Sequence, residues 1–497
     1  MRKVIWATLI SGMLASTASA ADLTIALQDD PDLLDPHLGN TYVGRIIFAS
    51  LCDKLFEIDT SLNIIPRIVT EWSWSEDGTA LSMKLRTDAL FHDGTPINAE
   101  AVKANLERAM TLPESVRKAE LASVESIDIG GEHELSIKLK EADATFLATL
   151  ADRAGMLVSP ASFDKAKDGS LVCSGPFKFV QRVQNDRIVL EKFAEHWEAA
   201  DYHFDKVTYM PVADSTVRLA NLQSGDIHLI ERPAPSDTDA IKADPNLAFE
   251  LIMGLGYYSG QFNMGNGPRS EHPINKDKRL RQALNLAIDR DVINQVLGLG
   301  TYQAAYQPFS PSSWAYNPEF DGPKRDVEKA KALMAEAGHP TVSFEMLYPT
   351  GTQLQQLFEL IQAMAAEAGF TITARPTEFS TYIDVRKQGD FDFSILEASG
   401  RVDPDGNLHR YLACGSAANN GNYCNQEVTA LLNQARTTAD VAQRKALYDK
   451  AQAILNDELP AIYIHYIPRT WAYRSSLKNF VPYPDGIIRL KGVIMQD

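Results

Sequence analysis

Beyond its first twenty residues the chain has no long apolar run, so no later stretch reaches the roughly 20 residues a membrane-spanning helix needs. Positive charge is also short. Lys and Arg number 48 against 65 Asp and Glu, a formal charge of −17. That balance repels nucleic acid and anionic membrane, although a site can carry local charge of its own. Cysteine is scarce, four in 497 residues, and no Cys-x-x-Cys occurs. The ten histidines lack metal-ligand spacing, so no metal or other cofactor is expected. Catalytic patterns are missing as well: no Gly-x-Ser-x-Gly elbow, no Gly-rich phosphate loop with a Lys, no His-Glu-x-x-His. His92-Asp93-Gly94 reads as a tight turn, with Asp93 bonding its own backbone, in preference to an acid/base pair. The chain is therefore not expected to be an enzyme, and a hydrolase of peptides or esters is the weakest alternative.

What is present begins with an address. Arg2 and Lys3 precede an apolar core at residues 4–14 and a small-residue pattern, Ala18-Ser19-Ala20. This is a cleavable export signal over residues 1–20, and no cysteine near the cut offers a lipid attachment point. The mature chain, at −19 without Arg2 and Lys3, is expected in a periplasm. Its length exceeds what one core supports, so two or three domains are expected. An even number of cysteines in an exported chain suggests two disulfides. Cys414 and Cys424 flank a short polar loop and form the first pair. Cys52 and Cys173 are then a pair by parity, or else two buried thiols.

The first half reads as mixed, the second as alternating strand and helix. Residues 22–28 alternate as a strand, and Asn98 can cap a helix running through Met110. Residues 124–129 and 134–139 read as a hairpin at Gly130-Gly131, with a second at 177–183 and 187–193. Strands are expected at 248–252 and 259–264, and one long amphipathic helix at 279–297. Strand, helix, strand order over 342–396 argues for an α/β lobe with a largely parallel sheet. A strand at 461–466 closes the series.

Several separated blocks carry a resemblance. They are residues 53–59 (DKLFEID), 71–78 (EWSWSEDG), 91–96 (FHDGTP), 98–102 (NAEAV), 174–177 (SGPF), 221–227 (NLQSGDI), 279–284 (RLRQAL), 285–289 (NLAID) and 329–333 (KAKAL). The ordered series resembles the extracellular solute-binding proteins that serve peptide, nickel and opine ABC importers. The resemblance implies an α/β, two-lobed Venus-flytrap fold of class II type with an extra subdomain inserted in the first lobe. Lobe I would comprise 21–52, 173–259 and 480–497, the insert 53–172, and lobe II 260–479. It further implies capture of a small solute by lobe closure, delivery to a permease with its ATPase subunits, and a monomer.

In the family's peptide binders an Asp three residues before an Asp-Pro or Glu-Pro pair holds the ligand's ammonium. Here the pair is Asp403-Pro404, and the matching position is Gly400. The carboxylate is absent and Arg401 stands beside the gap. A peptide with a free N-terminus is therefore not the expected cargo. Arg401 can receive a carboxylate or phosphate with its planar fork, or pair with Glu397 or Asp403. Asp403 is either a substitute anchor or a turn residue, and Glu397 is a further substitute. Asn40, Thr41 and Tyr42 follow the first strand, a segment that faces ligand in relatives. Arg117 follows the insert's first long helix, also near the cleft in relatives. Trp314 on a Pro- and Ser-rich loop can stack on a sugar or pack beneath the loop. The expected solute is peptide-like or opine-like with an anionic group. A sugar or glycoside conjugate is the alternative.

Overall fold

The computed structural model describes residues 21–168, 171–416 and 418–496, and the export signal lies outside them. One eleven-stranded sheet runs through both lobes. Two of its strands, Leu247–Phe262 and Ala461–Arg474, belong to both. They pair antiparallel from Leu247 opposite Arg474 to Gln261 opposite Ala461, and the register breaks between Met253 and Tyr257. Gly254 and Gly256 occupy the break because neighbouring backbones close in there. A Cβ at Gly254 would lie 2.6 Å from the Ile467 carbonyl oxygen, and one at Gly256 2.6 Å from that of Ala398. An interrupted ladder within the sheet that the two lobes share is where hinge rotation meets least resistance. The same glycines make the sequence read as two short strands where the structure has one long one.

In the first lobe, Ala21–Leu27 lies parallel between Phe204–Pro211 and Leu229–Glu231. The hairpin Phe177–Val183 with Arg187–Lys192 extends that sheet. Ile25, Phe48, Phe177, Phe204 and Tyr209 fill the core, and Trp471, Tyr473 and Leu477 join it. These three residues lie upstream of residue 480 and pack with the core of the first lobe. Pro468 stands opposite Met253 at the edge of the register break, so strand 461–466 continues beyond a residue that usually ends one.

In the second lobe, Val342–Pro349 is parallel to Phe370–Thr377 and Phe393–Ala398. Helices Thr352–Ala368 and Phe379–Gln388 make the crossovers. Because Phe393–Ala398 then meets Leu247–Phe262 antiparallel, the sheet is mixed and not largely parallel. The helix expected over 279–297 is two, Lys278–Ala287 and Arg290–Leu297. The Asp289 carboxylate caps the second by accepting from Asp291 and Val292 N–H at 3.0 and 3.1 Å. Apolar periodicity carried across the break conceals it.

The insert is a four-stranded sheet, in the order Val69–Trp74, Ala80–Leu85, Glu134–Leu139, Val124–Gly131, under helix Ala99–Thr111. Its core, including Leu81, Val102, Leu106, Ile137 and Phe146, is separate from that of the lobe. The base is closed by a Cys52–Cys173 disulfide with a Cα separation of 4.9 Å. Next to it Asp53 is buried, paired with Arg67 at 2.8 Å and bonded to His196 and Trp197 at 3.0 and 2.9 Å. Burial alone would raise that carboxyl, but Arg67 and the two ring N–H donors hold it well below the usual carboxylate range. Cys414 and Cys424 form the second disulfide, with Cα atoms 4.6 Å apart. Among the described residues no helix is long and apolar enough to cross a membrane.

Candidate functional site

A cavity of about 610 Å³ lies where the lobes and the insert meet. Asn40, Arg45 and Arg489 come from the first lobe, Arg117, Glu120 and Asp152 from the insert, and Arg401, Asp405 and Arg410 from the second lobe. That volume is typical of a small-molecule site. Contacts join the walls: Ala144 N–H donates to the Arg436 carbonyl at 2.7 Å, and Val402 packs on the insert's core. The lobes are closed over the cavity.

The turn between strand Phe393–Ala398 and helix Asp405–Leu412 carries the most informative residues. Gly400 has φ +83°, and a Cβ there would lie 2.4 Å from the Leu255 carbonyl carbon. The position matching the peptide binders' Asp therefore has no room for a side chain and adopts a backbone conformation that favours glycine. Gly400→Asp is expected to lower the melting temperature sharply and to gain no dipeptide binding. A folded variant of unchanged melting temperature that binds dipeptides would show the reading wrong.

Arg401 follows with its backbone clamped. Asn407 Oδ1 accepts from Arg401 N–H at 2.7 Å, and Asn407 Nδ2 donates to the Arg401 carbonyl at 2.9 Å. Nη1 donates to Ser399 Oγ at 3.2 Å and to the Gly400 carbonyl at 3.0 Å. Among the described residues no carboxylate pairs with it. Asp403, the first candidate, is taken by Arg444 in a two-pronged pair at 2.9 and 2.8 Å, and it also accepts from Asp405 N–H. Glu397, the second, accepts from Tyr258 OH at 2.7 Å and faces Arg232 at 3.7 Å. Burial, with the Arg45 cation close by, draws the Arg401 guanidinium below the ordinary arginine value. Arg410, one of its cationic neighbours, lies over the Tyr411 ring and has no carboxylate partner among the described residues.

The opposite wall is braced by pairs. Arg45 Nε meets Asp152 at 3.2 Å, and Arg117 Nη1 meets Glu120 at 2.7 Å. Arg45 Nη1 and Arg117 Nε are buried with no partner among the described residues. Arg153 Nη1 donates to the carbonyls of Gly39 and Thr41 at 3.0 and 3.4 Å, fixing the loop that presents Asn40.

Of the residues singled out in the sequence, Asn40, Arg117, Arg401 and Asp403 line the cavity together. Thr41 and Tyr42 do not. Thr41 accepts from Gly44 N–H as the cap of helix Tyr42–Leu51. Tyr42 donates its hydroxyl to the Gly486 carbonyl at 2.7 Å, and its ring lies between the guanidiniums of Arg232 and Arg469. Trp314 packs on Tyr448 under Arg444, away from the cavity, and Glu397 belongs to the hinge. Arg45, Asp152, Asp405 and Arg410 escaped the sequence reading. Arg45 alone carried a signal, a lone cation in the apolar helix YVGRIIFASL.

Two lobes that share one sheet, with its register interrupted between them, and close on a polar cavity have the architecture of a hinged solute receptor. The chain belongs to the bacterial extracellular solute-binding proteins, family 5, whose middle-region family model matches residues 63–419. That family consists of non-catalytic solute-binding proteins of ABC importers. The chain is similar to the glutathione-binding protein GsiB of Shigella dysenteriae, 28% identical over 508 residues covering 96% of this chain and 95% of that one. The dipeptide-binding protein of Escherichia coli is 27% identical over 522 residues, with 96% and 95% covered. Among solved structures, DppA of Helicobacter pylori in complex with peptide STSA superposes with a TM-score of 0.84 at 24% identity, covering 96% and 98%. AgaA of Agrobacterium tumefaciens R10 with agropinic acid gives a TM-score of 0.84 at 24% identity, covering 96% and 99%. At that identity the two structures establish the fold class, a two-lobed α/β binding protein.

Proposed function

We propose that this protein is a periplasmic receptor that captures a peptide-like or opine-like solute through an anionic group on Arg401. The closed lobes then present it to a membrane permease driven by ATPase subunits. One observation carries the reading: Arg401 is clamped in place and lacks any carboxylate of its own among the described residues, while Glu397 and Asp403 are engaged elsewhere. A half-buried guanidinium left in that state suits a carboxylate or phosphate. The matched relatives that bind glutathione, dipeptides or agropinic acid place such solutes within the family's range. No Phe, Tyr or Trp lines the cavity among the described residues, so the stacking platform a glycoside would use is not provided. The test is native mass spectrometry of protein purified from periplasm. A copurified solute bearing a carboxylate or phosphate is expected, and a bound solute without any acidic group would overturn the reading.

A further inference from the structure

The cavity wall also holds an acid whose needs the protein does not meet. Asp405 is 8% exposed, its Oδ1 has no hydrogen-bond partner among the described residues, and its Oδ2 lies 3.5 Å from Arg436 Nε. A buried carboxyl with one oxygen unsatisfied is costly, and native proteins keep such groups mainly where something else completes them. Its surroundings are mixed. The Arg436 and Arg444 cations attract and the Asp403 and Asp143 carboxylates repel, but burial dominates and pushes the group up to about 7. Arg401 lies directly over Gly406, the next residue, since a Cβ there would stand 2.7 Å from Arg401 Cγ. Arg410 belongs to the same helix, Asp405–Leu412. One short segment thus presents two guanidiniums without acids and one acid without a full set of donors, all on the wall of a single cavity.

Building on the proposed anion site, we propose that Asp405 is a second anchor that takes an ammonium group of the same solute. The preferred cargo is then amphoteric, with an acid on Arg401 and Arg410 and an amine on Asp405. This moves the amine site away from position 400, where Leu255 leaves no space, to the first turn of the following helix. It also explains why the chain tolerates an acid next to Asp403 in so dry a place.

Nα-(1-carboxyethyl)lysine and its Nε-acetyl derivative share both carboxylates and the secondary α-ammonium, which lies between the acids, and differ only in the distal ammonium, the group assigned to Asp405. Titration calorimetry at pH 8 should show wild type binding the amine at least about tenfold more tightly than the acetylated compound. Asp405→Asn should abolish that preference, and Asp405→Ser repeats the comparison with a smaller side chain. Asp405→Asn should also melt higher than wild type at pH 8 without solute. A carboxyl raised by burial opposes folding increasingly as pH climbs from its unfolded value toward 7, and the amide removes that charge. Affinity of wild type for the amine should fall from pH 8 to pH 6 as Asp405 takes a proton, while Asp405→Asn stays flat. His409 on the same wall is held below its usual value by burial, and Asp405→Asn, which keeps it, controls for any contribution from it. Equal binding of the two compounds by wild type, a preference surviving in Asp405→Asn, or no binding of the amine at millimolar concentration would each overturn the second anchor. Equal binding leaves the Arg401 site standing, whereas an acid-free copurified solute removes that site first.

Discussion

Arg401→Ala is expected to weaken the natural solute by about 2 to 5 kcal/mol, the usual cost of truncating one side of a buried charge pair. The expectation is large because the arginine is preorganised. Asn407 holds both polar groups of its backbone, and among the described residues the guanidinium bonds only Ser399 Oγ and the Gly400 carbonyl. The same facts predict an intact fold, since no ion pair among the described residues is broken by the substitution. Calorimetric titration with the copurified solute, alongside a thermal melt, separates the two effects. Arg401→Lys should recover part of the loss, because an ammonium keeps the charge but not the two-pronged geometry. A loss below about 0.5 kcal/mol would assign Arg401 a purely structural role.

The largest stability effect is expected at the base of the insert. Cys52 and Cys173 are 121 residues apart in sequence, against 10 for Cys414 and Cys424. On the chain-entropy model, closing those loops contributes about 5 and about 3 kcal/mol respectively. The Cys52→Ala/Cys173→Ala double variant should therefore lose more than its Cys414→Ala/Cys424→Ala counterpart by denaturant midpoint. It should also become sensitive to protease within residues 53–172. Asp53, locked to Arg67, His196 and Trp197 at the same junction, still ties the insert to the lobe, so partial unfolding should precede complete unfolding. A midpoint unchanged within error would mean that this buried cluster alone secures the insert.

Much of the architecture was legible from local chemistry. Asn98 caps its helix as its position before an apolar-periodic run implies, and the second hairpin turns at Asn185-Asp186, but the first turns at residues 132–133, with Gly130 and Gly131 still in the strand and Gly131 paired opposite Glu134. Elsewhere local signals misled. Glycines at 254 and 256 looked like a loop but serve a close backbone approach inside one long strand. Pro468 looked like a strand end but lies at the hinge, and Asp289 capped a helix inside what read as a longer one. In each case the deciding neighbour is 100 or more residues away or the competing pattern is continuous, so a local window cannot see it.

At the site the division is sharper. The Gly400-Arg401 pair, where peptide binders carry an acid, was visible in the sequence and by itself set the expectation of an anionic solute over a free-amine peptide. Whether Arg401 was neutralised could not be read there, because Glu397 and Asp403 are equally near in sequence. Only the tertiary structure shows Asp403 claimed by Arg444 and Glu397 turned to Tyr258 and Arg232. The family was thus legible in the chain's residue types and their order, and so were the expectations of export and of a missing amine anchor. Which charges remain unpaired was decided by packing, because an ion pair depends on distances of a few ångströms between elements that meet only when the lobes are built.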